Sequence, residues 1–493
     1  MASVSKEYLE PFDNLFLALE DDYHLMSVAG VYTLSRLVSI SELKSNIDGF
    51  ARITGRCLKR VVWNKNDIFD RPYFVADENY SIDNHFTVVD VPAPGTLEQI
   101  QDLASEHFSK KFDFNKPLWE CIYFRGALDG AKTVYLFKVH HAIADGQGFV
   151  RALLKYISEI SPETEVSEMM YKGNQHSGSA ATNTSKPAPS HLDSKDKPKQ
   201  HDVRKTLEKL SRSSILLAYM VFGILMAIFV GLRLVASFKH SFSRSRMTAN
   251  KQVAWSAEPI SLTEVKLIKN TFRCTVNDVL MSCMGVAIQR YLESQNALKD
   301  SSFWVLVPTS MRRHDDWSVS NRTSGYMLNL PLVSKGERVR HLQSVSKRMK
   351  AQKGTMEPHM YFGFIPILWH WVNLLPKWTQ FTAYKVHAVI TNVPGPASQL
   401  YWGSSAVENV VGLIPQPAPN ALGTTIYSYD GKIVISVLMD LDQDESDDLL
   451  FAPGSARVIV QEYAKAFEEL LTLAKDELEA QKNHVPLEDK KQQ

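Results

Sequence analysis

Hydrophobic and polar residues alternate along the first third of the chain with two different periods. Runs rich in β-branched and aromatic residues, which are typical of strands, occupy four short segments: 28–33, 73–75, 87–91 and 133–139. Apolar residues three or four positions apart predict amphipathic helices in three further segments: 12–19, 97–110 and 149–160. This alternation predicts an α/β sandwich over residues 1–160.

The last half of the chain repeats these signals. Thr275 and Asp278 have the spacing of a capping box, in which each side chain bonds the backbone N–H of the other residue, and apolar residues follow at helical spacing. Further elements are predicted at 303–307, 387–391 and 432–439 as strands and at 456–481 as a long final helix. Residues 251–493 therefore form a second predicted half.

The two halves are separated by a stretch of different composition. In residues 161–203 Gly, Ser, Thr, Pro and Lys dominate, which predicts a disordered linker. Residues 214–232 then carry no charge, and as a helix they would be roughly 28 Å long, close to the hydrocarbon thickness of a bilayer. Residues 204–250 are therefore predicted to associate with a membrane. The alternative is a helix buried in the protein core.

Composition and charge argue against several classes of protein. With 493 residues, of which 44% are hydrophobic, the chain can bury a sizeable core. A formal net charge of +1 gives no electrostatic argument for nucleic acid as a partner. The four cysteines lack CxxC spacing, which argues against a disulfide framework or a zinc site, and no metal site is predicted. Three glycosylation sequons, one of them at Asn321, are too short a pattern to carry weight.

Two adjacent histidines, His140 and His141, follow the predicted strand 133–139, and Asp145-Gly146 follows them before the next helix. The segment is therefore a predicted strand-to-helix corner. Neighbouring side chains of a strand point to opposite faces of the sheet, so only one histidine is expected to face a substrate. An imidazole titrates near neutral pH and can act as a general base. The alternative is a histidine pair without a catalytic role.

Three more residues are candidates for the same site. Asp145 is placed to orient the catalytic imidazole or to brace the corner, and Gly146 permits a turn or the close approach of another backbone. Asn277 would lie in the first turn of the helix that follows Thr275, where unpaired N–H groups create a positive potential that could stabilise an oxyanion. Asn277 could equally serve only the start of that helix.

Several motifs resemble those of known acyltransferases. The sequence HHxxxDG at residues 140–146 resembles the signature of CoA-dependent acyltransferases of the chloramphenicol acetyltransferase type and of peptide-synthetase condensation domains. Five further blocks, which occur in family order, resemble the wax ester synthase/diacylglycerol acyltransferase family. They are EPFD at 10–13 with Phe16 and Glu20, PLWE at 117–120, NDVL at 277–280, PTSMR at 308–312 and TNVPGP at 391–396. HHxxxDG alone indicates a superfamily, whereas the ordered set is specific.

The resemblance implies a fold and a mechanism. The fold is α/β, with two sandwich domains similar to chloramphenicol acetyltransferase that meet at a central channel. Acyl-CoA and a fatty alcohol or diacylglycerol enter from separate mouths; His141 removes the proton of the acceptor hydroxyl and then protonates the departing CoA thiolate. His140 is the second candidate for the base after His141, or else supports the strand end. No cofactor is expected besides acyl-CoA as co-substrate, and the lack of a GxSxG elbow argues against a covalent intermediate.

The resemblance also implies residues that bind substrate. These are Pro117, Trp119, Arg312 and Asn392, and Arg312 is in addition the candidate partner of Asp145 in an ion pair. Two other functions stay open. One is a condensation-type acyltransferase that uses carrier-bound donors, and the other is a lipid-binding protein without catalysis.

Both halves must build one site if the resemblance holds, which bears on how residues 214–232 meet a membrane. A simple span would place the halves on opposite sides, and basic residues flank the stretch at both ends, so charge asymmetry does not orient it. We therefore expect a monotopic or hairpin-like insertion at the endoplasmic reticulum or a lipid droplet, with both halves facing the cytosol. Residues 1–10 have no apolar core, so no secretory signal is expected.

Overall fold

The computed structural model describes residues 6–64, 67, 70–160, 242, 247–298, 303–331, 337–367, 386–416, 420–442 and 449–483. The chain divides into two compact units, and all of these residues belong to the unit formed by Met1–Tyr171 and Ala236–Gln493. The predicted linker and the apolar stretch 214–232 lie outside the described residues. Within the described ranges, no helix is both long enough and apolar enough to cross a membrane.

Helices and strands alternate through this unit. The helices are α1 (Pro11–Leu19), α2 (Ile40–Thr54), α3 (Leu97–Phe108), α4 (Gly146–Ile160), α5 (Leu262–Thr271), α6 (Val276–Ser294), α7 (Arg338–Lys353), α8 (Glu357–Ile367) and α9 (Ser455–Asn483). The strands are β1 (Glu7–Tyr8), β2 (Ser27–Leu34), β3 (Lys59–Val62), β4 (Tyr73–Ala76), β5 (Phe86–Asp90), β6 (Trp119–Arg125), β7 (Thr133–His140), β8 (Lys251–Trp255), β9 (Ile260–Ser261), β10 (Phe303–Ser310), β11 (Thr323–Leu330), β12 (Ala388–Pro394), β13 (Tyr401–Trp402), β14 (Ser405–Leu413), β15 (Leu422–Tyr429) and β16 (Lys432–Asp440). Each strand and helix predicted within the described ranges is present, with ends that differ by a few residues.

A six-stranded sheet in the order β13-β14-β2-β7-β6-β5 forms the centre of the first half. β7 is antiparallel to both β2 and β6 and is buried along its whole length. Helices α2 and α4 pack on one face of the sheet, where Phe50, Phe137 and Leu154 belong to one core cluster. Helix α3 packs on the other face. Because both faces are covered, β7 is hydrophobic at successive positions rather than at alternate ones.

A seven-stranded sheet forms the centre of the second half. Its order is β11-β10-β12-β15-β16-β8, and β9 also pairs with β16. Helices α6 and α9 share a large core cluster with this sheet. The predicted capping box starts α6: the Asp278 N–H donates to Thr275 Oγ1, and the Thr275 N–H donates to Asp278 Oδ2. A third, small sheet has the order β1-β4-β3.

The two halves are interlocked by a hairpin. β13 and β14 come from the second half of the sequence but complete the sheet of the first half, where β14 runs antiparallel to β2. The predicted α/β fold with two sheet-centred halves is confirmed. The predicted division at residue 251 does not separate the two sheets, because β13 and β14 follow residue 251 but join the first sheet. A period of two in the sequence identifies a strand, but it does not identify the sheet that the strand joins.

A buried ion pair joins neighbouring strands of the second sheet. Lys251 of β8 and Asp440 of β16 lie opposite each other, with Lys251 Nζ 2.5 Å from Asp440 Oδ1. Their side chains are 4% and 0% exposed. Removal of the cation would leave a buried carboxylate without the charge of Lys251, and the Thr248 N–H, which donates to Asp440 Oδ2, would compensate its desolvation only in part.

We predict that Lys251→Met lowers the free energy of unfolding by about 3–5 kcal/mol, as measured by urea unfolding. Arg125→Met is the matched control, because it removes the cation from the exposed Arg125–Asp90 pair. Water and salt screen such pairs, so this variant should keep the urea midpoint of the parent. Equal midpoints for the two variants would show that the Lys251–Asp440 pair does not stabilise the sheet.

Candidate active site

The two motif histidines lie at the end of β7. The His140 N–H donates to the backbone oxygen of Leu118, which precedes β6, and the His141 N–H donates to that of Met26, which precedes β2. The end of the motif strand is therefore held by both of its neighbours in the sheet.

Asp145 starts the helix that follows. The Gly148 N–H donates to Asp145 Oδ1 over 2.6 Å, as expected when a carboxylate caps a helix N-terminus. The cap explains why α4 begins at Gly146, one turn earlier than its apolar spacing predicts. The predicted strand-to-helix corner is present.

His140 has both ring nitrogens committed to contacts within the protein. Nε2 lies 2.9 Å from Glu20 Oε2, and Nδ1 accepts from the Ala142 N–H at 3.0 Å. Burial acts to raise the pKa of Glu20, but the charge and hydrogen bond of His140 and the Met26 N–H outweigh it, so the pKa is lowered. His140 therefore supports the strand end, which leaves His141 as the candidate base.

His141 has different surroundings. Its ring is parallel to that of Phe16, with the centroids 3.7 Å apart and 6° between the planes. Burial lowers the pKa of His141 from 6.5 to about 4, although the negative charge of Asp145 acts in the opposite direction. The imidazole is therefore neutral at pH 7, which is the form that a general base requires.

Asp145 joins the corner to the second half of the chain. Oδ1 lies 3.0 Å from Arg312 Nη2, and Oδ2 accepts from the Arg322 N–H at 2.7 Å and from the Thr323 hydroxyl at 3.1 Å. The side chains of Asp145 and Arg312 are 2% and 1% exposed. The structure thus contains the ion pair that the resemblance implied, and Asp145 braces the corner.

Arg312 has further contacts within its own half, and its predicted role in substrate binding stays a prediction. Besides Asp145, its guanidinium donates to the backbone oxygens of Ser318 and Ser320, both at 2.6 Å. These donors are taken up inside the protein, so Arg312 holds its own loop against the corner.

Pro117 and Trp119 have the surroundings of structural residues, and their predicted role in substrate binding stays a prediction. Both are buried. Trp119 donates from Nε1 to Cys57 O at 2.8 Å and stacks on His85 with the ring centroids 4.5 Å apart. An aromatic side chain without exposed surface and with its N–H paired belongs to the core. The two residues flank Leu118 and so build the start of β6 beside the motif.

Asn277 and Asn392 meet beside the corner. Asn392 Nδ2 donates to Asn277 Oδ1 at 2.6 Å, which joins the first turn of α6 to β12. β12 also contacts the start of α4, where Gln147 Nε2 donates to Pro394 O at 2.9 Å. Asn277 Oδ1 accepts from Asn392, so the NH2 group of Asn277 points away from Asn392. Its two N–H donors are therefore not used by Asn392, and an oxyanion could accept from them. Asn392 therefore orients Asn277, and the catalytic role of Asn277 stays a prediction.

The close backbone approach that was predicted at Gly146 is found at Gly148. A Cβ atom on Gly148 would lie 2.7 Å from Val319 O and 3.0 Å from Arg312 Nη2. A Cβ atom on Gly146 would meet only the methyl carbons of Val393 at 3.5 Å, an ordinary contact distance. The loop that contains Arg312 therefore packs on the second glycine of the motif helix, and the other predicted role of Gly146, in the turn, stays a prediction.

Several site residues were given no role in the sequence analysis. Phe16 and Glu20, which contact the two histidines, lie on or next to α1, as does Asp13. Spacings of three and four residues place all three on one face of a helix, so this signal could have grouped them. Asn321 donates to His141 O at 2.7 Å. Nothing in its local sequence distinguishes Asn321 from a surface asparagine.

Two family models match the chain. The wax ester synthase/diacylglycerol acyltransferase catalytic domain matches residues 9–280, and the WS/DGAT C-terminal domain matches residues 319–451. The chain belongs to the wax ester synthase/diacylglycerol acyltransferase family. It is an acyltransferase, and the catalytic-domain match includes the whole corner between β7 and α4.

Bacterial relatives of this acyltransferase extend over most of its length. It is 23% identical to the O-acyltransferase WSD of Acinetobacter baylyi, over 87% of this chain and 91% of that protein. It is also 23% identical to a probable diacylglycerol O-acyltransferase, tgs2, of Mycobacterium tuberculosis, over 87% and 92% of the two chains.

Solved structures confirm the fold of the acyltransferase. A wax ester synthase/diacylglycerol acyltransferase from Marinobacter aquaeolei VT8 is similar with a TM-score of 0.61 and 19% identity, over 95% of this chain and 100% of that one. The first condensation domain of the CDA synthetase is similar with a TM-score of 0.56 and 14% identity, over 97% of each chain. At these identities the likeness concerns the fold alone.

We predict that Gly148→Ala lowers the free energy of unfolding of the acyltransferase by about 1–3 kcal/mol, because the added methyl group must displace the backbone of residue 319 or the Arg312 guanidinium. Gly146→Ala is the matched control and should change the free energy of unfolding by less than about 1 kcal/mol. Thermal unfolding of the two variants is the measurement. Equal losses would contradict the packing described for Gly148.

We predict that kcat/KM for acyl transfer stays high on the acid side of neutrality. A base with a pKa of about 4 is still unprotonated at pH 5.5, whereas a base with the ordinary pKa of 6.5 would be only about one-tenth unprotonated. The value at pH 5.5 should therefore be more than about half of that at pH 7, in protein shown by circular dichroism to be folded. An acid limb centred near 6.5 would mean that the base is not a desolvated His141.

Proposed function

We propose that this acyltransferase uses acyl-CoA to make wax esters from long-chain alcohols, triacylglycerol from diacylglycerol, or both. The observation that carries the proposal is the buried imidazole of His141 at the end of β7, stacked on Phe16 in a corner that both halves of the chain build. The names of the family and of its relatives supply the classes of acceptor. Acyl-CoA as donor rests on the HHxxxDG motif at 140–146.

The proposed reaction needs one proton carrier. The unprotonated imidazole of His141 takes the hydroxyl proton as the alcohol oxygen bonds to the thioester carbonyl carbon. The resulting tetrahedral intermediate collapses with cleavage of the carbon–sulfur bond. The imidazolium returns the proton to the departing thiolate, so the products are an ester and free CoA and the enzyme is unchanged.

Charge develops at two places in this sequence, and the site offers a group for each. The Asp145 carboxylate acts to stabilise the imidazolium form of His141, against the burial that disfavours it. The NH2 group of Asn277, which its contact with Asn392 turns away from β12, is the proposed donor to the oxyanion of the intermediate.

The proposed location is a membrane surface at the endoplasmic reticulum or a lipid droplet, with both halves facing the cytosol. The uncharged stretch 214–232 supports this location. The proposed acceptors support it too, because long-chain alcohols and diacylglycerol partition into lipid rather than water. A segment that inserts without spanning leaves both halves of the site on one side.

The test offers labelled palmitoyl-CoA to the detergent-solubilised protein, with hexadecanol and dioleoylglycerol in separate reactions. The parent is expected to form labelled wax ester, triacylglycerol or both. His141→Ala should form ester at least about 100-fold more slowly, because the general base is lost. His359→Ala, which removes an exposed histidine of α8, is the matched control and should keep the activity of the parent.

Three outcomes would contradict the proposal. Absence of ester with both acceptors, from folded parent protein, would exclude the proposed substrates. Transfer from a carrier-bound thioester but not from acyl-CoA would favour the chemistry of condensation domains, which share this fold. Lipid binding without turnover, unchanged in His141→Ala, would favour a lipid-binding protein.

A further inference from the structure

We propose that Asn321 is a positioning residue for His141 and that the buried carboxylate of Asp13 holds Asn321 in place. The inference rests on the proposed function of His141 as general base. It assigns a role to three buried polar side chains, Asp13, Arg56 and Asn321, which come from distant parts of the sequence and meet beside the catalytic corner.

The Asn321 side chain is fully buried, and its amide nitrogen has two acceptors. Nδ2 donates to His141 O at 2.7 Å and to Asp13 Oδ1 at 2.8 Å. The Asn321 backbone N–H also donates to Asp13 Oδ1, at 2.9 Å. Asn321 belongs to the second half of the chain, whereas Asp13 and His141 belong to the first. This amide therefore joins the two halves at the backbone of the base.

Asp13 holds a second donor in the same way. Its Oδ2 lies 2.9 Å from Arg56 Nη1, and that guanidinium donates to Ile143 O at 3.1 Å. The carbonyl groups of His141 and Ile143 lie two residues apart in the loop between β7 and α4. Each of them accepts from a side chain that Asp13 fixes. A single buried carboxylate thus contacts both of the side chains that donate to these two carbonyl groups.

The carbonyl group of His141 belongs to the same residue as the imidazole, so its position sets the backbone from which the ring extends. Asn321 Nδ2 donates to this oxygen and therefore restrains the origin of the ring. Phe16 restrains its plane, and Phe16 lies on the same helix as Asp13. Asn321 and α1 therefore fix the base from two directions.

The inference predicts an effect on rate rather than on substrate affinity. Without the Asn321 amide, the His141 carbonyl loses the donor that joins it to the second half. A general base that moves by about 1 Å can lower the rate about 100-fold without changing how tightly the substrates bind. Asn321 acts through the backbone of His141, so KM should change little.

The kinetic test compares Asn321→Ala with Asn329→Ala. Asn329 lies on β11 of the same half, where its side chain accepts from Arg348 at the surface, so this control removes a side-chain hydrogen bond away from the site. Asn321→Ala should lower kcat for ester formation about 10- to 100-fold, with KM for donor and acceptor within about two-fold of the parent. Asn329→Ala should match the parent in both constants.

Nitrogen-15 NMR of labelled histidine reads the His141 ring without any substrate. The His141 signal of the parent is assigned by its loss in His141→Ala. Asn321→Ala should shift or broaden this signal, because the backbone that carries the ring has lost the donor that holds it. Thermal unfolding establishes that each variant is folded. Asn321→Ser, which keeps a small hydroxyl in place of the amide, is a second variant that should show the same two changes to a smaller extent.

The possible outcomes separate the two proposals. An unchanged His141 signal in folded Asn321→Ala or Asn321→Ser would overturn the positioning role, and so would a kcat equal to that of Asn329→Ala. Failure of the parent to form ester would instead contradict the proposed function. In that case the NMR comparison would still decide whether Asn321 orients the ring.

Discussion

The buried ion pair of Asp145 and Arg312 is the constraint on which the catalytic corner depends. A carboxylate that is almost completely removed from water is stable only when it is paired and hydrogen bonded. Asp145 meets this requirement with donors from both halves, because the Gly148 N–H and the segment that ends at Thr323 share its two oxygens. One side chain therefore starts a helix of the first half and docks a loop of the second. The contacts that complete the corner therefore come from both halves.

The two motif histidines have different roles in this corner, one structural and one proposed to be catalytic. His140 is paired with Glu20 and holds the strand end, whereas His141 stacks on Phe16 in a site that disfavours its protonation. Both contacts come from α1 and the residue that follows it. In this acyltransferase one imidazole is thus committed to contacts within the protein, and the other is the one proposed for proton transfer.

The sheets also depend on both halves, through the hairpin formed by β13 and β14. β14 leaves the second half to pair with β2, which in turn pairs with β7, the strand that ends in the motif. Without the hairpin, β2 would be an edge strand with unpaired backbone groups. The strand that positions His141 is therefore supported, two strands away, by the half that also supplies Arg312 and Asn321.

The sequence by itself determined the strand-to-helix corner, the capping box of α6 and the family. Each depends on a local quantity: the period of the apolar residues, a capping pair three residues apart, or motifs of fixed spacing. Only the tertiary structure decided that Trp119 belongs to the core, that Gly148 rather than Gly146 meets a neighbouring loop, and that Asn321 reaches His141. These are contacts between segments far apart in the chain. A local pattern shows that a face is buried, but the partner that covers it is selected by packing, which no local pattern contains.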